Sequence, residues 1–331
     1  MAPDETKLDV KDKKILYQLD VNCRQSLGQI AKKVGLSKQV VDYRIKRLEQ
    51  QGVIKGYITV MDMTKLGYYT WLVYIKYLKP TIEAQSDMIN FLKSHSHVAY
   101  VVDTYGYWDL VTSFVTRSVS EFFKDWRAFL TKYRNHIAAK DISLIVELSQ
   151  MRRTYLEGQS REAYDTLVSP AGADVKFAGD KLDWAILKEL AGNAKLELQA
   201  IAQKVGLSPK AVSYRIKNLA KRGVVQSFRA LIDNAKLGYD GYKVFLGLTA
   251  MTEKKESELA TWLRMYPNVA HMTLAIGQAD WGFEFLAHGR EDFWKMINEL
   301  RTKFKDVITT IDVLQYATHH KVLHLPEVRP V

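Results

Sequence analysis

Residues Ile30–Val53 read IAKKVGLSKQVVDYRIKRLEQQGV, and residues Ile201–Val224 read IAQKVGLSPKAVSYRIKNLAKRGV. Fifteen of the 24 positions are identical without a gap, at a constant offset of 171 residues. In the first copy Ile30, Ala31 and Val34, then Val41, Ile45 and Leu48, have the spacing of two helices that each bury one stripe. Gly35-Leu36-Ser37 lies between them: glycine suits the left-handed end of a helix, leucine plugs the core, and serine caps the next helix. Ser208-Pro209 adds a first-turn proline, which loses no hydrogen bond there. Ile15, Leu16 and Leu19, matched by Ile186, Leu187 and Leu190, supply a preceding helix. The pattern predicts a helix-turn-helix, whose second helix can enter a major groove.

The register holds to the far ends of both copies, pairing Gly67 with Gly238, Gly106 with Gly277, Asp109 with Asp280, Phe122 with Phe293 and Ile142 with Val313. One fold is therefore present twice. After a short strand or hinge at Val53-Ile54, a β-branched and aromatic strand over about 70–78 precedes a helix over about 82–94. Strands at 99–105 and 110–115 flank Gly106-Tyr107-Trp108-Asp109, and Ser118 with Glu121 opens a second helix by a capping-box pattern. A strand over 142–148 closes the unit. The expected class is α+β: two copies of a winged helix-turn-helix followed by a ferredoxin-like βαββαβ domain. The expected divisions are 1–58, 59–148, a linker 149–178, 179–229, 230–320 and a tail 321–331. A flexible thirty-residue linker would span roughly 30 Å, close to the ~34 Å between half-sites one DNA turn apart. A short helix around 161–167 is a second expectation for it.

No apolar run approaches a membrane span and the first residues are charged, so an intracellular, cytoplasmic protein is expected. A single cysteine, Cys23, excludes an intramolecular disulfide and a Cys-pair zinc site. The net charge is +11: residues 9–55 carry +6 and residues 180–226 carry +5, leaving zero elsewhere. Charge that coincides twice with a helix-turn-helix pattern is the footprint of a polyanion binder.

The ordered set Arg44-Ile45, Leu48, Gly52-Val53-Ile54, Asp62, Lys65-Leu66-Gly67-Tyr68 and Gly106/Asp109 resembles the Lrp/AsnC family of feast/famine transcription regulators. The second copy repeats it as Arg215-Ile216, Leu219, Gly223-Val224-Val225, Asp233, Lys236-Leu237-Gly238-Tyr239 and Gly277/Asp280, so the resemblance covers about nine tenths of the chain. It implies regulation through double-stranded DNA, dimerisation through the second domain (the RAM domain), and an amino-acid effector near the G-x-x-D turn. Here one chain carries both units, which implies an intrachain pseudo-dimer and leaves further homo-oligomers open.

A helical wheel sets Gln39, Tyr43 and Lys46 opposite the buried stripe, with Asp42 and Arg47 flanking; copy two presents Lys210, Tyr214 and Lys217, flanked by Ser213 and Asn218. With Ser37, Lys38 and Ser208 these are the candidate DNA contacts. Arg44 and Arg215 join the set, either bracing the motif or touching phosphate, and Asp42 has Lys46 as an i, i+4 partner. Gly106, Tyr107, Trp108, Asp109, Gly277 and Asp280 are candidate effector residues, with simple turn formation as the competing reading. No catalytic residue, metal ligand or cofactor is assigned. The alternatives are a non-specific DNA-coating protein and an enzyme resembling siroheme decarboxylases. Against the latter, the strand-1 stretches 68–79 and 239–249 lack His and Arg, and His95-Ser96-His97 and His319-His320 read as surface loops.

Overall fold

The computed structural model describes residues 7–158, 166–170 and 177–322. Copy one runs α1 (Val10–Asn22), α2 (Leu27–Val34), α3 (Lys38–Gln50), β1 (Ile54–Met61), β2 (Tyr69–Tyr77), α4 (Ile82–Ser94), β3 (Val98–Tyr105), β4 (Leu110–Thr116), α5 (Val119–Tyr133) and β5 (Ile137–Met151). After a strand β6 (Thr166–Pro170), copy two runs α6 (Lys181–Gly192), α7 (Leu198–Val205), α8 (Pro209–Lys221), β7 (Val225–Ile232), β8 (Asp240–Leu248), α9 (Glu253–Met265), β9 (Val269–Ile276), β10 (Trp281–Ala287), α10 (Gly289–Lys303) and β11 (Ile308–Val322). Two winged helix-turn-helix units and two ferredoxin-like units are the α+β arrangement expected.

The turn chemistry acts as the sequence implies. Gly35 closes α2 in the left-handed region (φ +66°), and the Ser37 hydroxyl accepts the Val40 amide to cap α3. Ile15, Leu16, Leu19, Ile30, Val34, Val41, Ile45 and Leu48 then pack as one buried cluster.

Of the short strand or hinge expected at Val53-Ile54, the strand is what forms, and it runs longer, to Met61. β1 pairs antiparallel with β7 of the other copy, and each lies against the other copy's first helix. The Cys23 amide donates to the Phe228 carbonyl (2.8 Å), and Ala194 donates to Tyr57 (3.1 Å). Asp62 donates to Val224 and Asp233 to Val53, both at 2.9 Å. Each pair maps onto the other through the 171-residue offset. No local pattern gives the length or the partner of this strand, because its hydrogen bonds go to the other repeat.

The ferredoxin-like sheets run β5-β2-β4-β3 and β11-β8-β10-β9, and β3 pairs β11 while β9 pairs β5. Eight strands therefore close on themselves. β5 and β11 are 15 residues long because each does two jobs. The first half of β5 pairs with its own β2 up to Leu144, and the second half pairs with β9 from Leu144 onward. β11 changes from β8 to β3 at Gln315, the counterpart of Leu144. The strand expected over 142–148 thus runs from Ile137 to Met151, and His319-His320 lie in a strand, β11, rather than a loop. Helices α4 and α5 cover one face of the first sheet, with Phe129 of α5 in one cluster with Trp71, Val73, Ile75 and Phe114 of the strands. In the second sheet Phe283, Phe285, Met296 and Leu300 fill the equivalent core.

Within 149–178 several of the described residues are structured. β5 occupies its start, a 3-10 turn at Thr154–Glu157 packs on α1, and β6 pairs back onto β5. Of the helix expected at 161–167, residues 161–165 lie outside the described residues and 166–167 belong to β6. Arg153 at the end of this bend joins a buried ion network. Its Nη1 lies 2.6 Å from Oδ1 of the fully buried Asp20, which Arg229 of β7 also contacts through Nη2 (2.6 Å) and Nε (3.0 Å). Burial alone would raise the Asp20 pKa, but the charges of Arg229 and Arg153 overcome it and hold the carboxyl below its ordinary value.

Asp20→Asn is expected to cost about 3–5 kcal/mol in urea unfolding at neutral pH, because it strands two buried cations. A carboxyl with a depressed folded-state pKa stabilises above its unfolded value, about 3.9, and loses that contribution as pH falls through the folded value. The gap between wild type and variant should therefore narrow below about pH 4; an unchanged gap at low pH would deny the network this role.

Candidate nucleic-acid interface

α3 and α8 hold equivalent positions in the two copies, with Val41, Ile45 and Leu48, and Val212, Ile216 and Leu219, turned inward. The opposite faces are open. Tyr43 is 65% and Tyr214 68% exposed, and Lys38, Gln39, Lys46, Lys210, Lys217 and Asn218 are also exposed. Asp42 and Ser213 are half-buried on the flanks. Lys46 pairs with Asp42 at 2.7 Å, the i, i+4 contact the sequence suggests. Positive charge, amide and phenol groups on an exposed helix face can meet phosphates and base edges.

Other candidates are turned to internal work. Arg44 lies 2.7 Å from Asp9 and 2.8 Å from Asp12, so it clamps α3 to the start of α1. Arg215 repeats this with Asp180 (2.9 Å) and Asp183 (2.7 Å). Of the two roles open to these arginines, bracing is the one the geometry adopts. Arg47, placed on the reading flank by the wheel, contacts Asp12 at 2.6 Å. A long side chain can swing to a buried carboxylate that a wheel does not see. Ser37 and Ser208 spend their hydroxyls on the amides of Val40 and Ala211. The Asp180 carboxyl accepts from the Leu182 and Asp183 amides, and its pKa is lowered, first by the Asp183 amide and further by Arg215.

The G-x-x-D hairpins sit where the halves meet. Gly106 (φ +137°) approaches β11 so closely that a Cβ would stand 2.8 Å from the Val313 carbonyl oxygen. Gly277 (φ +145°) does the same to β5, with Ile142 O at 2.6 Å. Trp108 is buried, Tyr107 is exposed, and Asp109 accepts from Lys76 Nζ (2.9 Å) and the Tyr77 amide (2.8 Å). Asp109 thus ties the hairpin to β2 rather than capping its own turn, whereas Asp280 is exposed.

Sequence patterning missed a polar group on the concave side of the closed sheet. Lys243 and Glu284 alternate with Val244, Phe283 and Phe285, which face the helices, so they point to the opposite side. There Glu284 contacts His271 Nδ1 (2.8 Å) and accepts from Tyr316 (2.7 Å). Lys243 donates to Thr273 (2.9 Å), and Tyr100 meets His319 at 3.2 Å. Burial lowers the Lys243 pKa. His271 and His319 come from different strands of one copy, and only an alternation count on both would have flagged them.

Residues 8–55 and 179–226 each match a family described as winged helix-turn-helix DNA-binding. The HTH-type transcriptional regulator FL11 of Pyrococcus horikoshii is 31% identical over 147 residues, 44% of this chain and 95% of that protein. The leucine-responsive regulatory protein of Rhizobium meliloti is 26% identical over 141 residues, 42% of this chain and 90% of that protein. Among solved structures, the siroheme decarboxylase NirDL superposes with a TM-score of 0.61 at 14% identity, covering 96% of this chain and 94% of that one. At that identity the likeness concerns the fold alone. The two regulators named above each match under half of this chain, about the length of one repeat. The chain belongs to the Lrp/AsnC family, as a tandemly duplicated member. No helix among the described residues is long and apolar enough to cross a membrane.

Arg44→Ala and Arg215→Ala should differ in effect. Asp12 keeps Arg47, but the counterpart of Arg47 is Asn218, and Asp183 keeps only a 3.4 Å contact from the Asp180 amide. Arg215→Ala is expected to cost about 1–3 kcal/mol in urea unfolding and Arg44→Ala measurably less. Equal losses would mean that Arg47 does not hold Asp12.

Proposed function

We propose that the chain is a sequence-specific DNA-binding transcription regulator that works as a single-chain pseudo-dimer. One observation carries this reading: two helix-turn-helix units with exposed basic faces on α3 and α8 are joined covalently and through the β1–β7 ribbon. Lys38, Gln39, Tyr43 and Lys46 read one half-site, and Lys210, Tyr214, Lys217 and Asn218 the other. Because Gln39 stands where copy two has Lys210, and Asp42 where it has Ser213, the half-sites differ and the operator is not a palindrome. Their centres lie about 10 bp or a multiple apart.

An amino-acid effector fits the same reading. The hairpins carrying Gly106–Asp109 and Gly277–Asp280 pack on the opposite copy's last strand, so a ligand held there touches both halves and can bias their arrangement. The copies differ, Tyr107-Trp108 against Gln278-Ala279, so one hairpin is the more suitable. We take the chain to be non-catalytic. The strand stretches 68–79 and 239–249 contain neither His nor Arg to meet a carboxylate-rich tetrapyrrole.

Binding-site selection from random duplexes should return one asymmetric site, bound at least about 10³-fold more tightly than bulk DNA. If six to ten phosphates are neutralised, affinity falls roughly 10³–10⁵-fold between 50 and 200 mM salt. Equal affinity for all duplexes would instead indicate a coating protein. No grip on DNA, with turnover of added siroheme, would indicate the enzyme. For the effector, a panel of amino acids is expected to raise the melting temperature with at least one member, and uniformly flat curves would reject a responsive regulator.

A further inference from the structure

α4 ends at Ser94 with His95 as its cap residue, and His97 immediately precedes β3. Two carboxylates one turn apart on α5, Glu121 and Asp125, face these imidazoles. His97 Nδ1 lies 2.6 Å from Asp125 Oδ2, and His95 Nε2 lies 3.6 Å from Asp125 Oδ1. One ligand atom from each of His95, His97 and Asp125 falls within 4.8 Å of the other two. Behind them, Glu121 Oε1 sits 3.5 Å from His97 Nε2, while its other oxygen accepts the Arg117 amide. The side chains are largely sheltered, and the His95 ring packs against the buried Phe114 and against Phe91.

The fold does not require this cluster. In copy two the same junction between helix, turn and strand is closed by Tyr266, Asn268 and Met296, with Asp292 in the place of Glu121. There Met296 is fully buried and Asn268 donates to the Leu286 carbonyl. Where copy two has a tyrosine, an amide and a thioether, copy one has two imidazoles and a carboxylate, gathered from the α4–β3 turn and α5.

We propose that His95, His97 and Asp125 form a binding site for a divalent transition ion of the zinc class, present only in the first copy. Two imidazoles with a carboxylate suit zinc, cobalt or nickel, whereas magnesium and calcium favour oxygen ligands throughout. Bonds of about 2.0–2.2 Å in a tetrahedron place ligand atoms about 3.3–3.5 Å apart, so the 3.6 Å separation of His95 and Asp125 is close to that of a formed site. The ion replaces the hydrogen bond between His97 Nδ1 and Asp125, and the shared proton leaves to solvent. Glu121 then accepts from His97 Nε2 and fixes the tautomer, as an outer carboxylate does behind a metal-bound imidazole. Ligation through His95 Nε2 gives up the 3.2 Å contact between its Nδ1 and the His97 amide. Lys321 of β11 donates to the Lys93 and His95 carbonyls (2.8 and 2.9 Å), so the ion would stiffen the turn on which the second copy's last strand docks.

The test titrates metal-free, full-length protein with Zn²⁺ by calorimetry and with Co²⁺ by visible absorption. One equivalent is expected to bind, with the intense bands of low-coordinate cobalt. The triple variant His95→Tyr, His97→Asn, Asp125→Met installs residues that already fill this position in copy two, which protects folding; circular dichroism checks it. It should lose at least about a hundredfold in affinity, and Glu121→Gln about 10–100-fold. His319→Ala/His320→Ala should bind like wild type. Absence of saturable binding, or binding unchanged in the triple variant, overturns the proposal, as does binding lost only with His319 and His320.

Discussion

Backbone pairing between the two copies is the constraint that organises this molecule. A four-stranded ferredoxin-like sheet alone leaves edge strands whose amide and carbonyl groups have no partner but water or another chain. Here β3 and β9 would be such edges, and each is taken by the opposite copy's last strand. The need to complete its own sheet and then cross explains why β5 and β11 run to 15 residues and change partner at Leu144 and Gln315. It also explains Gly106 and Gly277, because the hairpin next to each seam lies against backbone where no side chain fits. Tyr74 and Phe245 meet edge to face at 5.4 Å, so the concave faces touch through packed rings as well as hydrogen bonds.

Covalent duplication changes what such a seam can contain. In a symmetric dimer every substitution occurs twice, so a buried charge must find a partner in both places. In this chain Asp20 bonds Arg229 across the copies, while their counterparts are Ala191 and Ile58. One buried network therefore stands on one side of the pseudo-twofold and apolar residues on the other. The histidine and carboxylate cluster at the α4–β3 turn follows the same logic, facing Tyr266, Asn268 and Met296 in the second copy.

Much of this was legible in the sequence, for a definable reason. Elements governed by local chemistry could be read directly: α4 over 82–94, the Ser118 cap, the glycine turns, and the inward stripe of Val41, Ile45 and Leu48. What escaped depends on distant partners. The full length and pairing of β1 and β7 need both copies, the extensions of β5 and β11 need the opposite edge, and Asp109 serves β2 rather than its own turn. The histidines escaped likewise, since His95 and His97 acquire Asp125 only when α5 folds back over the sheet.

The same distinction bears on the two exposed helix faces, where net charge and available charge diverge. The first helix-turn-helix window is the more basic by one unit, yet three of the four cations on α3 are engaged: Arg44 and Arg47 with Asp12, Lys46 with Asp42. Among the described residues α8 sets Lys210 and Lys217 outward without a carboxylate contact, and only Arg215 of that helix is drawn inward. A polyanion approaching α8 meets unshared ammonium groups, whereas on α3 it meets Lys38 and a lysine shared with Asp42. Exposed pairs of that kind contribute little to stability, so Asp42 acts chiefly by offsetting charge on the face it shares with Tyr43 and Gln39. The two faces therefore differ in the positive charge they leave unshared, α8 presenting more of it than α3.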